Sequence, residues 1–291
     1  MLLLLFVLGG SAGWYWEQTW GDEFNGALNR SHWTPKSNWT HCCGPKFAKD
    51  GGELQLYDAD DAFTEDGRLV LRTRRRQLTG PDGIIYNYTS GWVDTKGHVA
   101  QRYGRFAANC SLPPRNATGI WPAFWLMPAN HSQCWPTGGE VDIFEFNGNW
   151  AEDRIFASYH WAPPGQDQCG KDKAPLPGRG FAPARSGRDW QRDWHVYAVE
   201  WSPGRLDYFV DDQSYLTVTA RSDGVDPVLA PDGVHLPSSP MFIIFDQAVD
   251  SWLFPPGSGP GDYAGDAGVR MMVEWVRIYR NSSNSNSSSS N

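Results

Sequence analysis

Glu140-Val141-Asp142-Ile143-Phe144-Glu145 carries three carboxylates in six residues, interleaved with Val, Ile and Phe. These apolar partners favour extended chain, so the segment reads as a β-strand. On a strand, side chains two apart share a face, which puts Glu140 and Asp142 together. Glu145 is five positions from Glu140, an odd offset that turns it to the opposite face of a regular strand. One β-bulge between Asp142 and Glu145 restores the parity and gathers all three acids on one side. A helix does not achieve this, because offsets of two and five are not helical neighbours.

With the bulge, the two glutamates stand about four strand steps apart, or ~13 Å between Cα atoms. Each side chain leans ~3.5–4 Å toward the other, leaving ~5–6 Å between the carboxyl groups. That spacing suits a pair in which one carboxylate attacks a sugar carbon while the other gives and then takes a proton. Asp142, between them, can help to hold one neighbour ionised and the other protonated. A bare trio of acids reads equally as a solvated acidic strand or a divalent-cation site. The residues around it change that weighting.

The chain has 291 residues and a net charge of −8, with no basic run. The length suits one large β-sandwich with a substantial core, and the charge argues against a nucleic-acid partner. Sixteen Trp, eleven Tyr and fourteen Phe serve either a core or the stacking of sugar rings, and abundance does not choose between them. Residues 1–12, MLLLLFVLGGSA, have the apolar run and small residues of a secretory signal peptide. That run is too short to cross a bilayer, so no membrane span is expected in the mature chain. Sequons at Asn29, Asn38, Asn87, Asn109, Asn116, Asn130, Asn281 and Asn286 also favour a secreted, extracellular glycoprotein. Five cysteines, Cys42, Cys43, Cys110, Cys134 and Cys169, lack metal-site spacing. In that compartment they allow two disulfides and a spare thiol; Cys134–Cys169 is the pairing we favour.

Short β-like runs recur at Gly67–Arg72, Arg102–Ala107, His195–Trp201, Leu206–Val210 and Met272–Tyr279, with a hairpin turn at Val210–Gln213. Their alternation predicts antiparallel sheets, and no long stretch has a helical period. Segments 162–189 and 221–240 are rich in Pro, Gly and charge and read as loops. Residues 281–291, NSSNSNSSSSN, read as a disordered Ser/Asn-rich tail.

Trp20-Gly21-Asp22-Glu23-Phe24-Asn25, Gly52-Glu53-Leu54-Gln55-Leu56-Tyr57, Tyr88-Thr89-Ser90-Gly91 and Gly104-Arg105-Phe106 follow one another along the chain. The most distinctive block is Trp121-Pro122-Ala123-Phe124-Trp125-Leu126-Met127-Pro128, followed by Trp135-Pro136-Thr137-Gly138-Gly139-Glu140. Ser158-Tyr159-His160 and residues 195–201 complete an order that spans roughly residues 16–280. This order of motifs resembles glycoside hydrolase family 16, and within it the laminarinase-like endo-β-1,3-glucanases. The resemblance implies an all-β, concanavalin A-like jelly-roll sandwich of two antiparallel sheets over residues 13–280, with a glycan cleft on the concave face.

It also implies a retaining reaction on a β-glucan polysaccharide, with Glu140 as nucleophile, Glu145 as acid/base and Asp142 in support. Trp135 would stack on the sugar being cleaved. Glu53 matches a cleft position, Trp121 and Trp125 share a strand face that either the core or the cleft could claim, and His160 would lie beside Glu145 and tune it. Three departures stand out: Trp92 occupies the place of an Arg, Asp246 that of an Asn, and Trp252 stands in a normally Gly-rich turn. Replacing a guanidinium by an indole trades hydrogen bonding for stacking, which leaves mixed-linkage glucan open as a substrate. Catalysis should need neither metal nor cofactor, although the resemblance allows a structural calcium near Glu23 and Glu274. A monomer is expected. The alternatives are a glucan-remodelling transglycosylase, which shares the chemistry, and a non-catalytic β-glucan-binding lectin, whose kind usually lacks one or both glutamates.

Overall fold

The computed structural model describes residues 14–39, 52–114, 117–130, 135–146, 155–162, 178–181, 193–220, 233–250 and 267–283. Strands in chain order are β1 (Trp14–Asp22), β2 (Thr34–Pro35), β3 (Gln55–Tyr57), β4 (Ala62–Glu65), β5 (Arg68–Thr79), β6 (Ile85–Ser90), β7 (Trp92–Asp94), β8 (Gly104–Ser111) and β9 (Ile120–Pro128). They continue as β10 (Glu140–Phe146), β11 (Ile155–His160), β12 (Gly178–Phe181), β13 (His195–Ser202), β14 (Arg205–Val210), β15 (Gln213–Thr219), β16 (Met241–Val249) and β17 (Val269–Ser283). Among the described residues the helical content is one 3-10 turn, Ala59–Asp61.

Two sheets form the jelly-roll sandwich that the resemblance implied, built from the antiparallel pairing that the alternation predicted. One has ten strands along the path β15-β14-β13-β8-β17-β5-β6-β3, with β1 on β17 and β4 on β5; the other has seven, β12-β11-β10-β9-β16-β7-β2. One pair departs from the antiparallel expectation, since β3 runs parallel to β6 from Gln55↔Tyr88 to Tyr57↔Ser90. The hairpin at Asp211 and Asp212 has both residues at positive φ, 48° and 59°, as a two-residue turn matched to strand twist requires.

Alternation sorts side chains between the sheets and the outer face. On β9, Phe124 and Leu126 point into the main core, while Ala123 and Trp125 join a second cluster with Tyr57, Trp92, Phe242 and Ile244. β16 repeats this, with Ile243 and Phe245 inward and Phe242 and Ile244 outward, so it is buried on both faces. Phe124 and Phe245 stack with centroids 4.6 Å apart at the centre. Burial of each such side chain contributes about 1.5–3 kcal/mol.

The chain changes sheets between β6 and β7, and Gly91 makes the crossing. A Cβ there would lie 2.2 Å from the carbonyl oxygen of Asp61, whose carboxylate is fully buried against Arg72 and Arg74. Because backbone stands in the way, Gly91→Ala should destabilise the protein by about 1–3 kcal/mol. Urea unfolding checks this, and an unchanged midpoint would mean that the crossing has room to spare.

Two boundaries differ from the expectation. Asn281–Ser283 belong to β17, not to a tail, because β1 supplies ladder partners from Trp14↔Ser283 to Trp16↔Asn281; backbone pairing is indifferent to their polar side chains. Within the supposed loop 162–189, β12 pairs with β11 from Tyr159↔Gly178 to Phe156↔Phe181. Two glycines sit in that strand, which hides it from a propensity reading. The signal-like segment and Cys134–Cys169 lie outside the described residues; Cys110 is a buried free thiol in β8.

Candidate active site

The bulge stands where the parity argument requires it. Against β11, Glu140 faces His160, Asp142 faces Ser158 and Glu145 faces Phe156, so the register shifts between Asp142 and Glu145. Against β9 it shifts between Asp142 and Phe144. Ile143 and Phe144 are consecutive, yet both are fully buried in the core between the sheets. Two adjacent apolar side chains drawn inward use up one step of alternation, and Glu145 emerges on the face of Glu140 and Asp142. Just before Glu140, Gly139 adopts φ +84°, and a Cβ there would meet the Tyr159 hydroxyl at 2.8 Å. The tight entry to β10 therefore favours glycine.

The three acids have different surroundings. Glu140 is half-buried and accepts a short hydrogen bond from the Trp135 indole N–H. Asp142 is buried; its Oδ2 accepts from Ser158 Oγ at 2.5 Å and lies 3.1 Å from His160 Nε2. Glu145 Oε1 accepts from Trp121 Nε1 at 2.9 Å, and its Oε2 lies 2.9 Å from Ser158 Oγ. Burial first, and then the charge of Asp142, push the Glu145 carboxyl well above the usual carboxylate range. For His160, burial works against the charged form. The Asp142 carboxylate overcomes it by charge and hydrogen bond, with help from Glu140 and Glu145, and raises the imidazole to about 9. At neutral pH the cluster thus holds an imidazolium, and Glu145 keeps its proton to higher pH than an ordinary carboxyl.

His160 was expected to contact Glu145. Its hydrogen-bond partner is Asp142 instead, because the bulge carries Glu145 past His160 to the level of Phe156. Ser158, two residues earlier on the same face of β11, is the residue that touches the acid, and the sequence reading assigned it no role.

The aromatic residues divide likewise. Trp135 is 46% exposed beside Glu140, with its ring centroid 5.7 Å from that of His160. Trp121 is partly exposed and directs its N–H to Glu145. Trp92 and Trp125 lie on this face but are only 4% and 7% exposed, packed edge-on at 5.4 Å. Their N–H groups bind Asp94 and Asp246, and the Tyr57 hydroxyl takes the second oxygen of Asp246. Direct sugar contact by Trp92, Trp125 and Asp246 is thus corrected to a supporting layer. Trp39, half-buried, covers Trp92 at 4.8 Å; its only local signal in the sequence is its place inside the Asn38 sequon.

Glu53 acts through its charge on Tyr57, the hydrogen-bond partner of Asp246. It accepts from Gln55 and lines a separate pocket of about 210 Å³ with Leu54 and residues 84–88. Trp252 lies outside the described residues. The calcium expectation gains no cluster: Glu23 is paired with Arg277, and Glu274 accepts from Asn109. Among the described residues, three potential ligand groups converge only at Glu140, Asp142 and His160, within 4.8 Å. The His160–Asp142 pair and the Trp135 and Ser158 hydrogen bonds already occupy them, which suits acid–base chemistry better than a metal centre.

A family model described as Glycosyl hydrolases family 16 matches residues 54–276. A Beta-glucanase of Rhodothermus marinus is 29% identical over 277 residues, covering 91% of this chain and 86% of that protein. The Clotting factor G alpha subunit of Tachypleus tridentatus is 27% identical over 93% of this chain, which spans only 35% of that longer protein. Among solved structures, the catalytic domain of an endo-1,3-beta-glucanase (laminarinase) from Thermotoga petrophila superposes with a TM-score of 0.72 at 27% identity, covering 91% of this chain and 98% of that one.

Proposed function

The chain belongs to glycosyl hydrolase family 16, and we propose that it is a secreted, endo-acting β-1,3-glucanase that works with retention of configuration. The observation that carries this reading is the bulge, which puts a half-buried Glu140 and a Glu145 whose burial favours its acid form on one face with Asp142 between them. Glu140 attacks the anomeric carbon as Glu145 protonates the departing glycosidic oxygen, giving a covalent glycosyl-enzyme. Glu145, now ionised, takes a proton from water, and the water displaces Glu140 to release the sugar with its original configuration. The exposed Trp135 indole, tethered to the nucleophile, offers a stacking face for the ring under attack. The signal-like start and the sequons support secretion.

The wild-type protein should release reducing ends from laminarin, and NMR of the first products should show the β-anomer. Exclusive α-product would overturn retention, and binding without cleavage of any β-glucan would favour the lectin reading.

Trp39 extends this reading along the substrate. Glu145, Ala123, Asp246 and Trp92 form one row across four neighbouring strands, so Trp92 stands about 14 Å from the acid. Trp39 caps that end of the row, several sugar residues from the cleaved bond. Trp39→Ala should raise KM for laminarin about 3–10-fold. It should leave kcat, and the hydrolysis of an aryl disaccharide too short to reach it, unchanged. Equal losses on both substrates would mean that Trp39 supports the fold, not the glycan.

A further inference from the structure

We propose that Ser158 is a positioning residue whose hydroxyl serves both forms of Glu145, accepting from the carboxylic acid and donating to the carboxylate. The inference rests on Glu145 being the acid/base. Ser158 Oγ lies 2.5 Å from Asp142 Oδ2 and 2.9 Å from Glu145 Oε2, both within hydrogen-bond range. A serine hydroxyl has one hydrogen and two lone pairs. Between two ionised carboxylates it could satisfy only one, and the other contact would oppose two oxygens with no hydrogen between them.

The neighbours say where the extra proton sits. Asp142 Oδ2 faces two donors, the Ser158 hydroxyl and His160 Nε2, so it carries no hydrogen of its own. The 2.5 Å contact has the length of a hydroxyl donating to a charged oxygen. Glu145 Oε1 is occupied by the indole of Trp121, which only donates. The proton is left on Glu145 Oε2, directed at the Ser158 lone pair. When Glu145 gives that proton to the glycosidic oxygen, the hydroxyl can rotate from Asp142 to the new carboxylate, while His160 stays on Asp142. No proton leaves Ser158 in either half of the cycle.

Bond counting gives the sign of the effect. With Glu145 protonated, Ser158 takes part in two hydrogen bonds, and with Glu145 ionised it makes one. As a donor to the carboxylate alone, Ser158 would hold Glu145 down; because the hydroxyl also accepts from the acid while donating to Asp142, it favours the acid form by about one neutral hydrogen bond. The charged and titratable groups around Glu145 are Asp142 and Glu140 on its own strand, His160 on β11 and Tyr215 on β15, and all remain after Ser158 is changed.

The test is a carboxyl ¹³C NMR titration of Glu145, assigned by its loss in Glu145→Gln, beside the pH profile of laminarin hydrolysis. Ser158→Ala should lower the Glu145 midpoint, and with it the basic limb of activity, by about half to one pH unit. Ser158→Thr, which keeps the hydroxyl, should restore the wild-type midpoint. The titration does not depend on turnover, so an inactive wild-type protein would sink the glucanase reading without touching this one. A folded Ser158→Ala with an unmoved or raised midpoint, or a folded Ser158→Thr that titrates like Ala, would overturn the proposal. Packing alone accounts for neither the downward shift nor its rescue by a larger side chain.

Discussion

Glu140→Gln should lower laminarin hydrolysis by about 10⁴-fold or more while leaving glucan binding intact. The size follows from the loss of a covalent route, because an amide cannot form the glycosyl-enzyme and direct attack by water has no base on the correct face. The fold should tolerate the change. Glu140 is half-buried, and the amide oxygen still accepts from the Trp135 indole, which is 46% exposed. Removing the charge also relieves part of the upward pressure on Glu145 and on His160. A loss confined to kcat, with binding to laminarin preserved, is the expected pattern. Glu140→Ala with added azide goes further: the anion enters from the vacated side and should yield an α-glycosyl azide. Near-wild-type turnover by Glu140→Gln, or a β-azide from the Ala variant, would mean that the nucleophile lies elsewhere.

The strand of three acids was legible because its chemistry and its periodicity conflict. Three acids in Glu140–Glu145 cannot share a face of a regular strand, and the conflict has one cheap resolution, a bulge. Ile143 and Phe144 even mark its place, since two adjacent core residues break the alternation where it must be broken. What stayed hidden depends on partners from distant segments. His160 and Ser158 look alike as alternate polar residues of one strand, and the shift in register alone decides which meets Glu145. Trp92 and Trp125 looked like free platforms because sequence shows residue type and not cover. Trp39, Tyr57 and Asp246, brought in from three other segments, close over them. The end of the domain was misplaced for the same reason: Asn281–Ser283 become a strand because β1 is there to pair with them. Local pattern thus carries the position of a functional group along the chain, while cross-strand neighbours set its partners and protonation.

Glu145→Gln should separate the two glutamates by their dependence on the leaving group. On laminarin, whose leaving group is a sugar hydroxyl, the loss should be about 10²–10⁴-fold, the usual contribution of a positioned general acid. On a dinitrophenyl β-glucoside oligomer the first step needs no proton, so glycosyl-enzyme should form quickly and accumulate, seen as a burst of phenolate. Azide should then release it as the β-glycosyl azide, opposite in configuration to the product of Glu140→Ala. The pH profile carries the second half of the argument. Burial and Asp142 raise Glu145, so in the wild type the acid form persists above the ordinary carboxylate range. Activity should fall as pH rises through that shifted value, because the proton needed by the leaving group is gone. Glutamine does not titrate, and this limb should vanish from the residual activity. His160, raised to about 9 by the same neighbours, is the other group able to shape the basic side. A limb that survives in Glu145→Gln would belong to His160, and Glu145 would lose its assignment as the acid.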